Sequence, residues 1–148
     1  MKACQSMDLH VDYTAIEPFP LEAEIFTGLN YGGSDFLALH QSKWGATISM
    51  TSTFSLTKIQ QTIQQQEFLP GSFDLVFYDA FAPNTQPEMW SLDIFKRIKI
   101  MMASPSVFVT YCAKGQVKRD LRSAGFVVES LAGPPGKREM VRATLTYS

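Results

Sequence analysis

No apolar run in this chain approaches the roughly 20 residues that a helix needs to cross a bilayer, so a helical membrane span is excluded. Cysteine is scarce as well. Cys4 and Cys112 lie far apart, with no C-x-x-C pair and no histidine at ligand spacing, which reads as two free thiols and no disulfide framework or zinc site. Only two histidines are present, and His40 has no second ligand at metal spacing, so no metal site is expected. The opening Met-Lys-Ala-Cys-Gln-Ser-Met lacks the apolar segment of a secretory signal, and the expected location is cytoplasmic. A phosphate-cradling glycine loop is missing too. Gly28-Leu29-Asn30-Tyr31-Gly32-Gly33 follows helical periodicity instead of a strand, which makes it a helix end and connection. No internal repeat, linker or composition break appears, so residues 1–148 are expected to form a single domain.

What the chain does have is enough apolar material for a core. At 148 residues with 45% hydrophobic content it can hide roughly 70% of the surface its unfolded form exposes. Its net charge of −1 conceals a division: residues 1–95 hold three Lys/Arg against eleven Asp/Glu, and residues 96–148 hold ten against three. A C-terminal third at +7 beside a remainder at −8 favours contact between a polyanion, such as a nucleic acid, and the C-terminal part.

Strand and helix signals alternate along the sequence. Val11–Ile16 reads as a strand ending at Glu17, and Pro18 and Pro20 then lead to a helix over Leu21–Leu29. A short helix follows from Ser34 to His40. Thr47–Phe54 is Thr- and Ile-rich and reads as a strand, after which Leu56, Ile59 and Ile63 at i, i+3, i+7 predict a helix over Leu56–Gln66. Pro70-Gly71 turns into an apolar strand, Leu75–Tyr78. Beyond it come a helix over Trp90–Met102, a connection closed by Pro105, a strand Val107–Tyr111 and a helix Lys114–Ala124 with Gly125 at its C-cap. Phe126–Leu131 and Met140–Thr146 form the last two strands, an antiparallel pair joined by the rigid Gly133-Pro134-Pro135-Gly136 turn. The rhythm is that of an α/β three-layer sheet.

The stretch Phe73–Trp90 organises the rest. Its buried strand stops at a carboxylate, Asp79, followed by a proline-punctuated loop, and ligands in open α/β sheets sit outside the carboxyl ends of strands. Asp79 is therefore the candidate catalytic group, with turn capping as the plainer reading. Glu17, at the end of an earlier strand, is the matching candidate for nucleoside hydroxyls, with a simple turn residue as its plainer reading.

Three ordered motifs now carry a resemblance. They are Asp79-Ala80-Phe81-Ala82-Pro83 with Pro87-Glu88-Met89-Trp90, then Thr110-Tyr111-Cys112-Ala113-Lys114-Gly115, then Gly133-Pro134-Pro135-Gly136-Lys137-Arg138-Glu139-Met140. Together they resemble the MnmC-type tRNA methyltransferases, and most of all the stand-alone methyltransferase form, from Tyr13 onward. The resemblance implies a Rossmann-like sheet with a C-terminal antiparallel strand pair, S-adenosylmethionine as cofactor, and tRNA as partner. The implied reaction methylates the amine of wobble 5-aminomethyl-2-thiouridine. It also implies that Glu17 binds the cofactor ribose and that Asp79 lies beside both methyl group and acceptor amine. Phe81, Pro83 and Trp90 would line the pocket, and Lys137 and Arg138 would lie near the substrate. Family members begin with a first strand and a Gly-rich F-G-T-G-L-N loop, and this chain starts after them. The expectation is thus a partial, N-terminally truncated methyltransferase domain whose first strand is absent, its sheet completed by that missing segment or by a second copy in a homodimer. The alternative is a cofactor-deficient homologue acting only as an RNA-binding or interaction domain.

Overall fold

The structure, a computed structural model, describes residue 4, residues 6–29 and residues 33–146. It divides into two compact units, Met1–Glu67 and Phe68–Ser148.

The first unit is built on a three-stranded sheet. Strand β1 (Val11–Ile16) pairs in parallel with β3 (Phe54–Ile59), which pairs antiparallel with β2 (Thr47–Thr51), in the order β1-β3-β2. Two short helices, α1 (Ala23–Gly28) and α2 (Ser34–Gln41), lie between β1 and β2 in sequence. Helix α1 stops at Gly28 with Leu29 as its C-cap, as the helix-end reading of that glycine cluster requires; residues 30–32 of the cluster lie outside the described residues. His40 spends its ring on packing, stacked 5.0 Å from Phe26 and tilted against Phe36 at 4.3 Å. Its carbonyl accepts a 2.7 Å hydrogen bond from the buried Lys58, whose ammonium also sits 4.6 Å over the Trp44 ring.

Here the sequence expectation needs correction. The predicted helix over Leu56–Gln66 is absent: its first residues, through Ile59, belong to strand β3 and residues 60–66 form bends and turns, while the predicted single strand Thr47–Phe54 is a hairpin that turns at Ser52-Thr53. The turn is fixed locally, Thr51 Oγ1 accepting from the Thr53 N–H at 3.3 Å. Leu56 and Lys58 are both buried while Ser55 and Thr57 beside them are less so, a period of two that parallel pairing with β1 imposes on a β-branched, Thr-rich segment.

The second unit carries a four-stranded sheet in the order β4-β5-β7-β6, comprising β4 (Phe73–Phe77), β5 (Met102–Thr110), β6 (Val127–Ala132) and β7 (Glu139–Leu145). Strands β4 and β5 are parallel, and β7 runs antiparallel to both neighbours, as the expected terminal pair requires. Pro105 does not close a connection. It lies inside β5, where the β4–β5 register jumps from Phe73↔Met102 to Leu75↔Val107, and a residue without an N–H is tolerated at such an irregularity.

Helix α3 (Leu92–Met101) is capped by Ser91, whose hydroxyl accepts from the Ile94 N–H at 3.4 Å, and it buries Ile94, Phe95, Ile98 and Met101 along one stripe. Phe95 and Phe108 are fully buried and meet edge-on at 6.1 Å, so α3 covers the sheet face that carries Phe108 and Tyr78. Helix α4 (Gly115–Ser123) buries Val117 and Leu121. It ends at Gly125, whose φ of +98° lets the Phe126 N–H reach back to the Leu121 carbonyl at 3.1 Å.

Candidate active site

Register decides which loops share an edge. Because β5 and β4 are parallel and Thr110 pairs with Val141 near the start of β7, three connections emerge on one side of the second sheet: Tyr78–Trp90 after β4, Tyr111–Lys114 after β5, and Gly133–Arg138 between β6 and β7. Asp79, Phe81, Pro83, Lys137 and Arg138 therefore all belong to the same sheet edge. The β4 and β6–β7 connections are two to three strand spacings apart, about 10–15 Å.

Asp79 follows β4 immediately. Its residue is exposed, and its carboxylate makes no hydrogen bond or ion pair among the described residues, so both oxygens remain available to a ligand. Phe81 is 69% exposed and Pro83 half-buried. The loop between them and the next helix is closed on itself, with the Thr85 and Gln86 N–H groups both donating to the Ala82 carbonyl, at 2.8 and 3.0 Å.

Trp90, expected among the pocket-lining residues, takes a different place. It lies behind the loop, only 6% exposed, with its indole N–H donating to the Phe81 carbonyl at 2.7 Å. Tyr78 acts from the same side: it packs edge-on against Trp90 at 5.2 Å and donates its hydroxyl to the Met89 carbonyl at 2.5 Å. Burial, with the Glu88 carboxylate adding to it, pushes the Tyr78 phenol well above its ordinary range, so it stays a donor. These two buried aromatics hold the backbone of the Asp79 loop at both ends. A third tie comes from outside, where Lys114 Nζ donates to Asn84 Oδ1 at 2.8 Å. Sequence reading missed Asn84 and that role of Lys114, because nothing local marks a partner 30 residues away.

The basic residues sort by occupation. Lys118 bonds Glu139 and Ser130, both at 2.8 Å, Arg119 bonds Gln116, and Arg122 reaches the Val128 carbonyl. Lys137 and Arg138 are exposed and donate no side-chain hydrogen bond among the described residues. Their loop is held by bonds from the Gly133 N–H to the Arg138 carbonyl and from the Lys137 N–H to the Pro134 carbonyl. Gly133 is obligatory there, since a Cβ would lie 2.3 Å from the Lys137 oxygen.

Glu17 belongs to the first unit and stands at the carboxyl end of β1, exposed, its N–H donating to the Ile59 carbonyl at 3.0 Å. One carboxylate oxygen accepts from the Phe19 N–H at 2.7 Å, which fixes the side chain and leaves the second oxygen for a ligand. Beside it, at the end of β3, Ile59, Trp44, Gly45, Gln60, Gln61 and Gln66 line an open hollow of about 420 Å³. No cluster of three or more His, Cys, Asp or Glu able to hold a metal exists among the described residues, and both cysteines are free. No helix among those residues is long and apolar enough to cross a membrane.

Known proteins share this sequence and fold. A family model described as S-adenosyl-L-methionine-dependent methyltransferase matches residues 38–146, spanning parts of both units. The tRNA 5-methylaminomethyl-2-thiouridine biosynthesis bifunctional protein MnmC of Campylobacter hominis is 28% identical over 94% of this chain. The protein of the same name from Pseudoalteromonas atlantica is 42% identical over 48% of it. The chain spans only 22% and 10% of the lengths of those two relatives. Among solved structures, MNMC2 from Aquifex aeolicus superposes with a TM-score of 0.73 at 25% identity, covering 95% of this chain and 45% of that one. A 1,6-didemethyltoxoflavin-N1-methyltransferase from Burkholderia thailandensis, solved with S-adenosylhomocysteine, shares the fold at a TM-score of 0.55 and 13% identity, covering 97% and 75%. With its Rossmann-like halves, its terminal antiparallel pair and these matches, the chain belongs to the S-adenosyl-L-methionine-dependent methyltransferase family, as an MnmC-like methyltransferase domain.

Proposed function

We propose that this chain transfers a methyl group to the amine of 5-aminomethyl-2-thiouridine at the tRNA wobble position, its two units being parts of one methyltransferase domain. The observation that carries the reading is Asp79, an exposed carboxylate at the end of β4 with no hydrogen bond or ion pair among the described residues, on the same sheet edge as the exposed cations Lys137 and Arg138. The MnmC relatives are named for the biosynthesis of tRNA 5-methylaminomethyl-2-thiouridine, the nucleoside that this transfer would produce.

S-adenosylmethionine, when bound, supplies an electrophilic sulfonium methyl. Glu17 fits the ribose: its free oxygen can accept a hydroxyl hydrogen bond while the Phe19 N–H keeps the carboxylate in place. Asp79 acts on the acceptor. With that methyl bound, the amine would attack as a neutral group, an N–C bond forming while the C–S bond pair leaves with sulfur, and the nitrogen would gain positive charge. A fixed carboxylate beside that nitrogen orients its lone pair, stabilises the developing charge and takes the proton. Holding nitrogen and methyl in line supplies the largest share, roughly 7–11 kcal/mol for well-oriented reactants. Phe81 and Pro83 wall the acceptor, and Lys137 and Arg138 hold phosphates about 10–15 Å away.

The test is mass spectrometry of an anticodon stem-loop RNA carrying 5-aminomethyl-2-thiouridine after incubation with S-adenosylmethionine and the chain. One added methyl per wobble nucleoside is expected, and Asp79→Asn should slow its appearance by about 10²–10⁴-fold. Unmodified RNA, or an Asp79→Asn variant as fast as the parent, overturns the assignment.

A further inference from the structure

Resting on the tRNA reading above, the geometry points to Tyr111 as a substrate-contacting residue: we propose that its ring, together with Phe81, stacks on the unstacked wobble base. Aromatic exposure in the second unit follows a spatial rule. Among its described residues three rings are exposed, Phe77 at 62%, Phe81 at 69% and Tyr111 at 49%, and all three lie at the carboxyl ends of the adjacent parallel strands β4 and β5. Tyr78, Trp90, Phe95, Phe108 and Phe126 are buried, and Phe68 and Phe73 are partly so and pair with one another at 4.8 Å. None of the three exposed rings pairs with another ring among the described residues, in a unit that otherwise packs its aromatics closely.

Phe77 still lies within β4, so its ring belongs to the sheet face; Phe81 and Tyr111 are past the strand ends, at the edge itself. Tyr111 follows β5 directly. It thus stands one strand spacing, about 5 Å, to the side of Asp79 and on the way to the Lys137–Arg138 hairpin. A carboxylate for the amine, two unpartnered rings and free cations further along the same edge match the parts of a nucleotide: substituent, base and phosphate. Proteins that act on a single base hold it out of its stack against aromatic side chains, and each such stacking interaction contributes about ten- to a hundredfold in affinity. The loop that presents Phe81 is fixed from behind by Trp90 and Tyr78, so this wall is already in place before a base arrives.

Calorimetric titration of the full chain with two RNAs tests the proposal: an anticodon stem-loop carrying 5-aminomethyl-2-thiouridine, and the same stem-loop with an abasic wobble position. The parent chain should bind the first about ten- to a hundredfold more tightly. Tyr111→Ala should abolish most of that preference while leaving abasic affinity and the salt dependence unchanged, and Tyr111→Phe should restore it. Equal weakening by Tyr111→Ala on both RNAs, or no weakening on either, overturns the role of Tyr111 while leaving the tRNA reading intact. A parent chain that binds neither RNA overturns that reading and this inference together.

Discussion

At Tyr78 and Trp90, two single atoms hold the Asp79 loop from behind. The Tyr78 hydroxyl and the Trp90 indole N–H donate to carbonyls eleven and nine residues away, both from buried rings. Removing one such bond costs about 0.5–1.5 kcal/mol. Tyr78→Phe should lower the unfolding free energy by about that amount, read as a lower denaturant midpoint with an unchanged m-value, because the ring packing against Trp90, Phe95 and Phe108 survives. A Tyr78→Phe protein as stable as the parent would show that the hydroxyl does not anchor the loop. Phe108 belongs to a different class. It is fully buried against Phe95, Tyr78 and Phe126, and Phe108→Ala should cost about 3–5 kcal/mol in the same measurement.

Among the elements, the β6–β7 hairpin is the one whose geometry can be tested by itself. Gly133→Ala would drive a methyl group into the Lys137 carbonyl, so the loop must open, and amide exchange at residue 133 and at Lys137 should accelerate while α3 stays protected. Acid should loosen the same hairpin. The Lys118 ammonium, by hydrogen bond and by charge, holds the Glu139 carboxyl below its ordinary value. A depressed folded-state value means that the stabilisation is present above the unfolded carboxylate range, near pH 4–4.5, and is lost as pH falls through the lower folded value. Protection of the hairpin amides, relative to their intrinsic exchange, should therefore fall below about pH 4.5, and Lys118→Met should flatten that dependence. Persistence of the full acid response in Lys118→Met would assign it to other groups.

Over the whole molecule, charge is divided between the N-terminal 95 residues and the rest, and most cations on α4 are tied up by intramolecular bonds. Lys137 and Arg138 are exposed cations on the Asp79 edge of the second sheet whose side chains donate no hydrogen bond among the described residues. Reversing both to glutamate should reduce the slope of log affinity against log salt for stem-loop RNA by about 0.7 for each phosphate left without a cation. Reversing Lys118 should change it less, and an unchanged slope in the Lys137/Arg138 variant would remove these residues from the RNA interface.

Much of this was legible in the chain itself. An apolar run ending in Asp79, a strand ending at Glu17, the helix after Trp90, the Gly125 cap and the Gly-Pro-Pro-Gly turn each depend on neighbours a few residues away, and local sterics and periodicity determine them. The helix expected over Leu56–Gln66 failed because Leu56, Ile59 and Ile63 fit a helical spacing equally well. What turned the segment into β3 is pairing with residues 43 positions earlier, a neighbour no window of sequence contains. The same holds at the Asp79 edge of the second sheet. Whether Trp90 faces a ligand or the back of its own loop, and whether Tyr111 stands beside Asp79, follow from strand order and register, because distant segments become neighbours only when the sheet forms.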